Sequence, residues 1–292
     1  MQQLVNTALG GLVQGMVFAA FALALVLIWR STRVVNFAQA PMAMVTTFIA
    51  LSVIDATGSY WLGFAAALAS GLLLGAVIER GVVQHVVGKG ELNAVILTLG
   101  LFIVLHAGAA VVFGNEFRSF PAPFGVRGIE VGGQSVALTT SGLFTIGAVL
   151  VVMGLLVVLF RFTDVGLRMR AAAFNPEVAR LLGVRVARMT TLGWALASLV
   201  GSLAGLLIAG GSLVHPSYMD SVVVLGFVAA VLGGLESPAG AVVGGLLLGV
   251  ALSFVSGYLG SQLVALAALV ILAVVLAVRP GGLFAPTVAR RV

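Results

Sequence analysis

The chain has 292 residues, of which 61% are hydrophobic and 8% charged, with no cysteine and a formal net charge of +6. A soluble domain carries about 25% charged residues, so a soluble globular enzyme is excluded. The missing cysteines exclude disulfides, thiolate metal sites and a cysteine nucleophile, and the basic balance fits arginine-rich loops beside a membrane better than nucleic-acid binding.

Apolar segments fall at 4–29, 34–54, 60–78, 92–114, 139–160, 190–213, 222–257 and 260–278. About 20 apolar residues cross a bilayer as helix. The expected fold is therefore all-α: a polytopic transmembrane helical bundle of about eight spans. No linker divides the chain and no internal repeat is evident, so 1–292 reads as one transmembrane domain. The first segment is too long for a signal-peptide core, and no basic residue precedes it; it reads as the first span. Near the start of the second lie Asn36 and Gln39. Uncharged polar groups are costly against lipid unless bonded, so both either bond neighbouring backbone or face a path. "GLLLG" (Gly71, Gly75) in the third segment, "GSLAG" (Gly201, Gly205) in the sixth and "GAVVG" (Gly240, Gly244) in the seventh each set two glycines on one helix face, the pattern of close helix packing.

His106 stands mid-span in the fourth segment, as a satisfied structural histidine or a pore-lining one. A metal site does not suit it. His85 and His215 are assigned to opposite sides of the membrane, and no carboxylate lies within a helical turn. The stretch 161–189 is the long polar interruption. Within it Asn175 is a good helix N-cap, Pro176 fits the first helical position, Glu177 suits the helix dipole, and Gly183 can take the left-handed conformation that ends a helix. A helix of this length, about 176–182, is marginal alone, so Val178, Leu181 and Leu182 need cover. Either the helix lies on lipid headgroups with its arginines, Arg180 and Arg185, on anionic lipid, or it docks into another protein. In "HPSYMD", His215 and Asp220 form a short external loop that contacts a partner or is solvated. The seventh segment is interrupted: Gly233, Gly234, Pro238 and Gly240 around Glu236 predict two short helices meeting at a break packed near the path.

Placing 161–189 inside puts 30–33, 79–91 and the C-terminal tail inside as well. Thirteen basic residues then lie inside, and Arg118 and Arg127 alone outside. That bias predicts an external N-terminus and a cytoplasmic C-terminus.

Four stretches carry a resemblance. "GLRMRAAAFNPEVARLLGV" resembles the cytoplasmic coupling loop of permease subunits in the branched-chain amino acid branch of ABC importers. "VVNFAQAPMAMVTTFIA" is similar to that family's early segment, "FVAAVLGGLESPAGAVVGGLLLGVALS" to its glycine-rich late segment, and "RPGGLF" to its closing motif. The resemblance covers most of the chain in order. It implies a multi-pass permease of a bacterial or archaeal cytoplasmic (inner) membrane. It also implies ATP-binding cassette subunits, a second related permease that is usually a different chain, and an external solute-binding protein. Asn175, Glu177, Val178, Arg180, Leu181, Leu182 and Gly183 would then couple to the ATPase, and the second segment would be broken and line the path with Asn36 and Gln39; His106 of the fourth segment, on its pore-lining reading, would join them. The chain has no Walker A motif. It would hold no cofactor and perform no catalysis itself, and ATP and Mg would be bound by the partner ATPase subunits. Where the family often reads His, Gly and Glu, this chain has Gln39, Ala40 and Pro41. That departure removes two ionisable groups and suggests a path for a small neutral, zwitterionic or weakly polar organic solute, a branched-chain amino acid or a relative of one. The competing readings are a stand-alone secondary transporter, which would need titratable midplane groups, and an intramembrane enzyme, for which His106 has no evident nucleophile nearby in sequence.

Overall fold

A computed structural model of the chain describes residues 2–86, 89–125, 128–131 and 134–284. Eleven α-helices follow in order: α1 Gln2–Thr32, α2 Gln39–Thr57, α3 Tyr60–Gly81, α4 Glu91–Phe113, α5 Thr140–Phe162, α6 Asp164–Phe174, α7 Pro176–Leu181, α8 Val186–Ala209, α9 Asp220–Gly233, α10 Pro238–Tyr258 and α11 Val264–Val278. Two small antiparallel ribbons join them: β1 Arg118–Ser119 pairs with β4 Leu213–Val214, and β2 Gly128–Val131 with β3 Gln134–Thr139. Among the described residues, 8 helices are long and apolar enough to cross a membrane. The expected all-α membrane bundle is what forms.

Helix α1 is the axis of the bundle. In its most apolar window 83% of residues are buried, against 11% in α4 and 6% in the last span. Glycines placed at contacts go with the difference, because lipid offers helices no hydrophobic drive to associate and close packing has to supply it; Gly100 and Gly108 of α4 face open space. A side chain added at Gly11 would meet the Val250 backbone at 2.8 Å, and one at Gly15 the Leu246 backbone at 2.9 Å. Gly245 and Gly249 answer from α10, against Ala19 and Gly15. The three glycine pairs singled out in the sequence also sit at contacts. Gly71 and Gly75 face Ser198, Ser202 and Trp194 of α8; Gly201 and Gly205 face Gln39, Ala43 and Thr47 of α2; Gly240 and Gly244 face Gly233 and Ala229 of α9.

Three elements differ from the sequence expectation. Helix α2 begins at Gln39 rather than near 34, because Arg33 takes φ 56° and turns the chain out of α1. The stretch 161–189 holds a second helix, α6, capped by Thr163, whose Oγ1 accepts from Gly166 N at 3.1 Å. The seventh segment is interrupted as expected, but its second part, α10, has 21 residues and crosses fully, while α9 has 14. Its turn lies at the edge of the bundle, not at mid-depth. Gly234 takes φ 99°, Ser237 Oγ accepts from Gly240 N at 2.9 Å, and Glu236 forms an ion pair with Arg33. Helix C-termini leave carbonyls unpaired. Here the closing "RPGGLF" stretch satisfies two of them, with Leu283 N on Leu232 O at 2.9 Å and Phe284 N on Gly233 O at 3.3 Å.

Following the helices in alternation puts the described arginines and Lys89 at one end of the bundle, the basic end, with Arg118 alone at the far end, paired to Asp55 at 2.9 Å. Arg127, Arg290 and Arg291 lie outside the described residues.

Candidate functional site

Two regions stand out, a cavity with a polar group above it and a hairpin at the basic end. The cavity begins at the irregular stretch between α1 and α2. Asn36 and Gln39 are both 1% exposed. Asn36 Oδ1 accepts from Ala38 N at 3.1 Å, its amide donates to Gln39 Oε1 at 3.1 Å, and Gln39 Nε2 donates to Ala197 O on α8 at 3.2 Å. Thr98 Oγ1 of α4 donates to Val35 O at 3.1 Å. The two amides thus bond backbone, as one reading of the sequence had it, and they brace the turn between α1 and α2; the second segment is not broken, since α2 runs without interruption from Gln39 to Thr57. Both also border a cavity of about 260 Å³ whose other walls are apolar, chiefly Phe37, Val223, Val224 and Phe227. Phe37 and Phe227 stack at 6.4 Å.

Higher on the same side is His106. It is partly exposed and has side-chain partners. Its Nε2 lies 3.2 Å from Ser217 Oγ, its Nδ1 3.9 Å from Asp220 Oδ1, and its ring stacks on Phe102 at 5.6 Å. The "HPSYMD" loop that supplies these partners is not freely solvated. Pro216 and Met219 are buried, and Tyr218 Oη reaches Thr47 Oγ1 at 2.8 Å and Gly205 O at 3.2 Å. His215 packs on Phe117 with ring centroids 4.6 Å apart, and its Nδ1 accepts from Ser217 N at 3.2 Å. Serine, histidine and aspartate do converge here, but not as a hydrolytic triad. The acid that orients a catalytic imidazole is buried and hydrogen-bonded to it; Asp220 is 46% exposed and stands 3.9 Å away.

The hairpin at the basic end is built by capping. Asn175 ends α6 and starts α7, its Oδ1 accepting from Val178 N at 3.0 Å, with Pro176 in the first helical position and Glu177 in the first turn. At the other end Gly183 takes φ 81°. Gly183 N donates to Arg180 O at 3.0 Å and Val184 N to Ala179 O at 2.9 Å, the paired bonds of a Schellman motif. The helix stops one residue earlier than expected, with Leu182 as its C-cap. Ala179 alone turns inward; Leu181 is 87% exposed, Leu182 76% and Val178 48%. Beside it Arg168, Arg185 and Arg188 line a groove of about 470 Å³ with Leu182 and Gly183. Among the described residues none of these three arginines has an ion-pair partner. A second basic cavity, of about 310 Å³, is lined by Arg30, Arg33, Arg170 and Glu236.

Sequence reasoning missed Ser217 and the meeting of His106 with Asp220, which are far apart along the chain. It also missed Glu79, 2% exposed in α3, which accepts from Thr191 Oγ1 at 2.6 Å. An acid in the last turn of an apolar helix was the available signal.

The profile of the family described as branched-chain amino acid transport system / permease component matches residues 7–279. The chain belongs to this permease family. It is 27% identical to the high-affinity branched-chain amino acid transport system permease protein LivH of Salmonella typhimurium, over 97% of this chain and 94% of that one. Against LivH of Escherichia coli K12 the identity is 28% with the same coverage, and against BraD of Pseudomonas aeruginosa it is 29%, over 97% and 95%. Among solved structures it is similar to PsaBC from Streptococcus pneumoniae, with 17% identity, 94% and 91% coverage and a TM-score of 0.49. The permease family thus accounts for the multi-pass bundle, and its relatives are transport subunits.

Proposed function

We propose that this permease is the membrane subunit of an ATP-driven importer, passing a small organic solute handed over by an external binding protein. The observation that carries the reading is α7: a helix fixed at both ends, with Leu181 and Leu182 standing in the open. Apolar side chains on so rigid a support are the anchors of an interface. The ATPase subunits, which bind the ATP and Mg, would take Val178, Leu181 and Leu182 into a groove, with Arg180 and Arg185 at its rim. On this reading the basic end is cytoplasmic and the N-terminus external, in keeping with the charge bias. ATPase closure would then move α7 and the spans attached to it as a body. The relatives' names point to branched-chain amino acids as solute. The cavity below His106 agrees, being apolar and bordered by Asn36 and Gln39. A second permease of a different but related sequence would complete the path, and 1–292 acts as a single domain. The test is uptake of radiolabelled leucine into proteoliposomes holding the complete complex. Uptake should require both ATP and the loaded binding protein and should survive collapse of the proton gradient. Gradient-driven uptake by this chain without an ATPase would overturn the proposal in favour of a secondary transporter.

A further inference from the structure

Helix α9 is too short to span a bilayer, so its first residue, Asp220, starts inside the apolar slab. His106 lies seven residues before Phe113, the end of α4, which is about 10 Å of helix. At this depth the Asp220 side chain is 46% exposed and the His106 side chain 25%. The helix faces beside them are apolar: Ile103, one turn before His106, is 65% exposed, and Val224, one turn after Asp220, is 50% exposed. A carboxylate in that position is costly against hydrocarbon, so this face has to be turned to water or to a partner.

The chemistry of the group narrows what it meets. Asp220 offers acceptors only, Ser217 and His106 can each accept, and a primary ammonium brings three donors and a positive charge. Among the described residues no lysine or arginine pairs with Asp220. On the same face of α9, at positions i+4 and i+7 from Asp220, Val224 and Phe227 run down into the 260 Å³ apolar cavity that ends at Asn36. The outline is a polar acceptor group above an apolar wall.

We propose that Asp220, with Ser217 and His106, forms a station on the transport path for the protonated amine of the solute, while Val224 and Phe227 hold its aliphatic part. The proposal rests on the transport reading above and adds the residue that would distinguish an amine from its uncharged isostere.

The experiment uses the complete complex in nanodiscs and two probes of one carbon skeleton, 3-methylbutylammonium and 3-methylbutanol, followed by saturation-transfer NMR. The ammonium should bind more tightly than the alcohol in the unmodified complex. Asp220→Asn should weaken the ammonium about tenfold, the scale of one lost charged hydrogen bond, and leave the alcohol unchanged. Asp220→Glu should keep most of the binding. Equal binding of the two probes, or an Asp220→Asn complex that holds the ammonium as before, overturns the station. So does an Asp220→Asn complex that loses its second permease by native mass spectrometry, since the carboxylate would then be an interface contact. In proteoliposomes, leucine uptake should fall about tenfold in Asp220→Asn, while stimulation of the ATPase by loaded binding protein persists. Full uptake in that variant sinks the station and leaves the importer standing. An unmodified complex with no ATP-driven uptake sinks the importer, and the probe binding still decides the station.

Discussion

Residues 175–183 and 215–220 read alike in the sequence, as short polar stretches rich in turn formers between apolar spans. Folded, they are opposites. The second is drawn into the bundle, with Met219 buried and Tyr218 bonded between α2 and α8. The first is held away from it, with Leu181 and Leu182 in the open. What separates them is where their side chains go. Residues 175–183 close their own backbone bonds through Asn175 and Gly183 and need nothing from the rest of the fold. Residues 215–220 close theirs locally too, with Tyr218 N on His215 O at 3.0 Å and Asp220 N on Ser217 O at 3.1 Å, but their side chains reach distant helices: Tyr218 bonds Thr47 and Gly205, and Ser217 meets His106. A stretch whose side chains are left uncovered is free to serve a partner outside the bundle; one whose side chains turn inward acts within it.

The largest effect expected from this contrast is at Tyr218. Tyr218→Ala removes a half-buried aromatic and its bonds to Thr47 and Gly205, and should cost about 1–3 kcal/mol, seen as earlier thermal unfolding of the purified complex. Stability equal to that of the unmodified protein would show that the loop is an ornament. Next comes Leu181→Ala. It should leave thermal unfolding unchanged and cut ATPase stimulation by loaded binding protein by a factor equivalent to about 1–3 kcal/mol, while Arg180→Ala costs less than about 1 kcal/mol. If the arginines matter and the leucine does not, α7 lies on lipid headgroups instead. The smallest effect is local. Gly183→Val forces a branched side chain into the left-handed region, at about 1–2 kcal/mol. Hydrogen exchange should detect it as fraying of α7 with the spans undisturbed.

How much of this could be read in the sequence follows the same division. The α7 caps were legible because each acts within three or four residues: Asn175 on Val178, Gly183 on Arg180. The spans were legible from hydropathy, and the glycine pairs from their spacing. Helix α6 was not, since "DVGLRMRAAAF" mixes charged and apolar residues without enough of either to read as span or loop. Depth was also hidden. The Gly234–Pro238 turn announces a break, but only the Arg33–Glu236 pair places it at the edge of the bundle. His106 looked solitary because its partners come from the other end of the chain, and no local pattern encodes a contact of that range.

The seam between α1 and α10 sets a schedule for biogenesis. Gly11 and Gly15 are made 234 residues ahead of Gly245 and Gly249, the glycines of the helix that fills their groove. At ribosomal speeds the gap is roughly ten to fifty seconds. Throughout it the future axis of the protein sits in the membrane with its main contact unmade, shielded by translocon, lipid or a neighbouring chain. A nascent chain cut short before α10 would therefore lose the part that seals its first helix, and should be cleared by membrane proteases even though most of its spans are already in place.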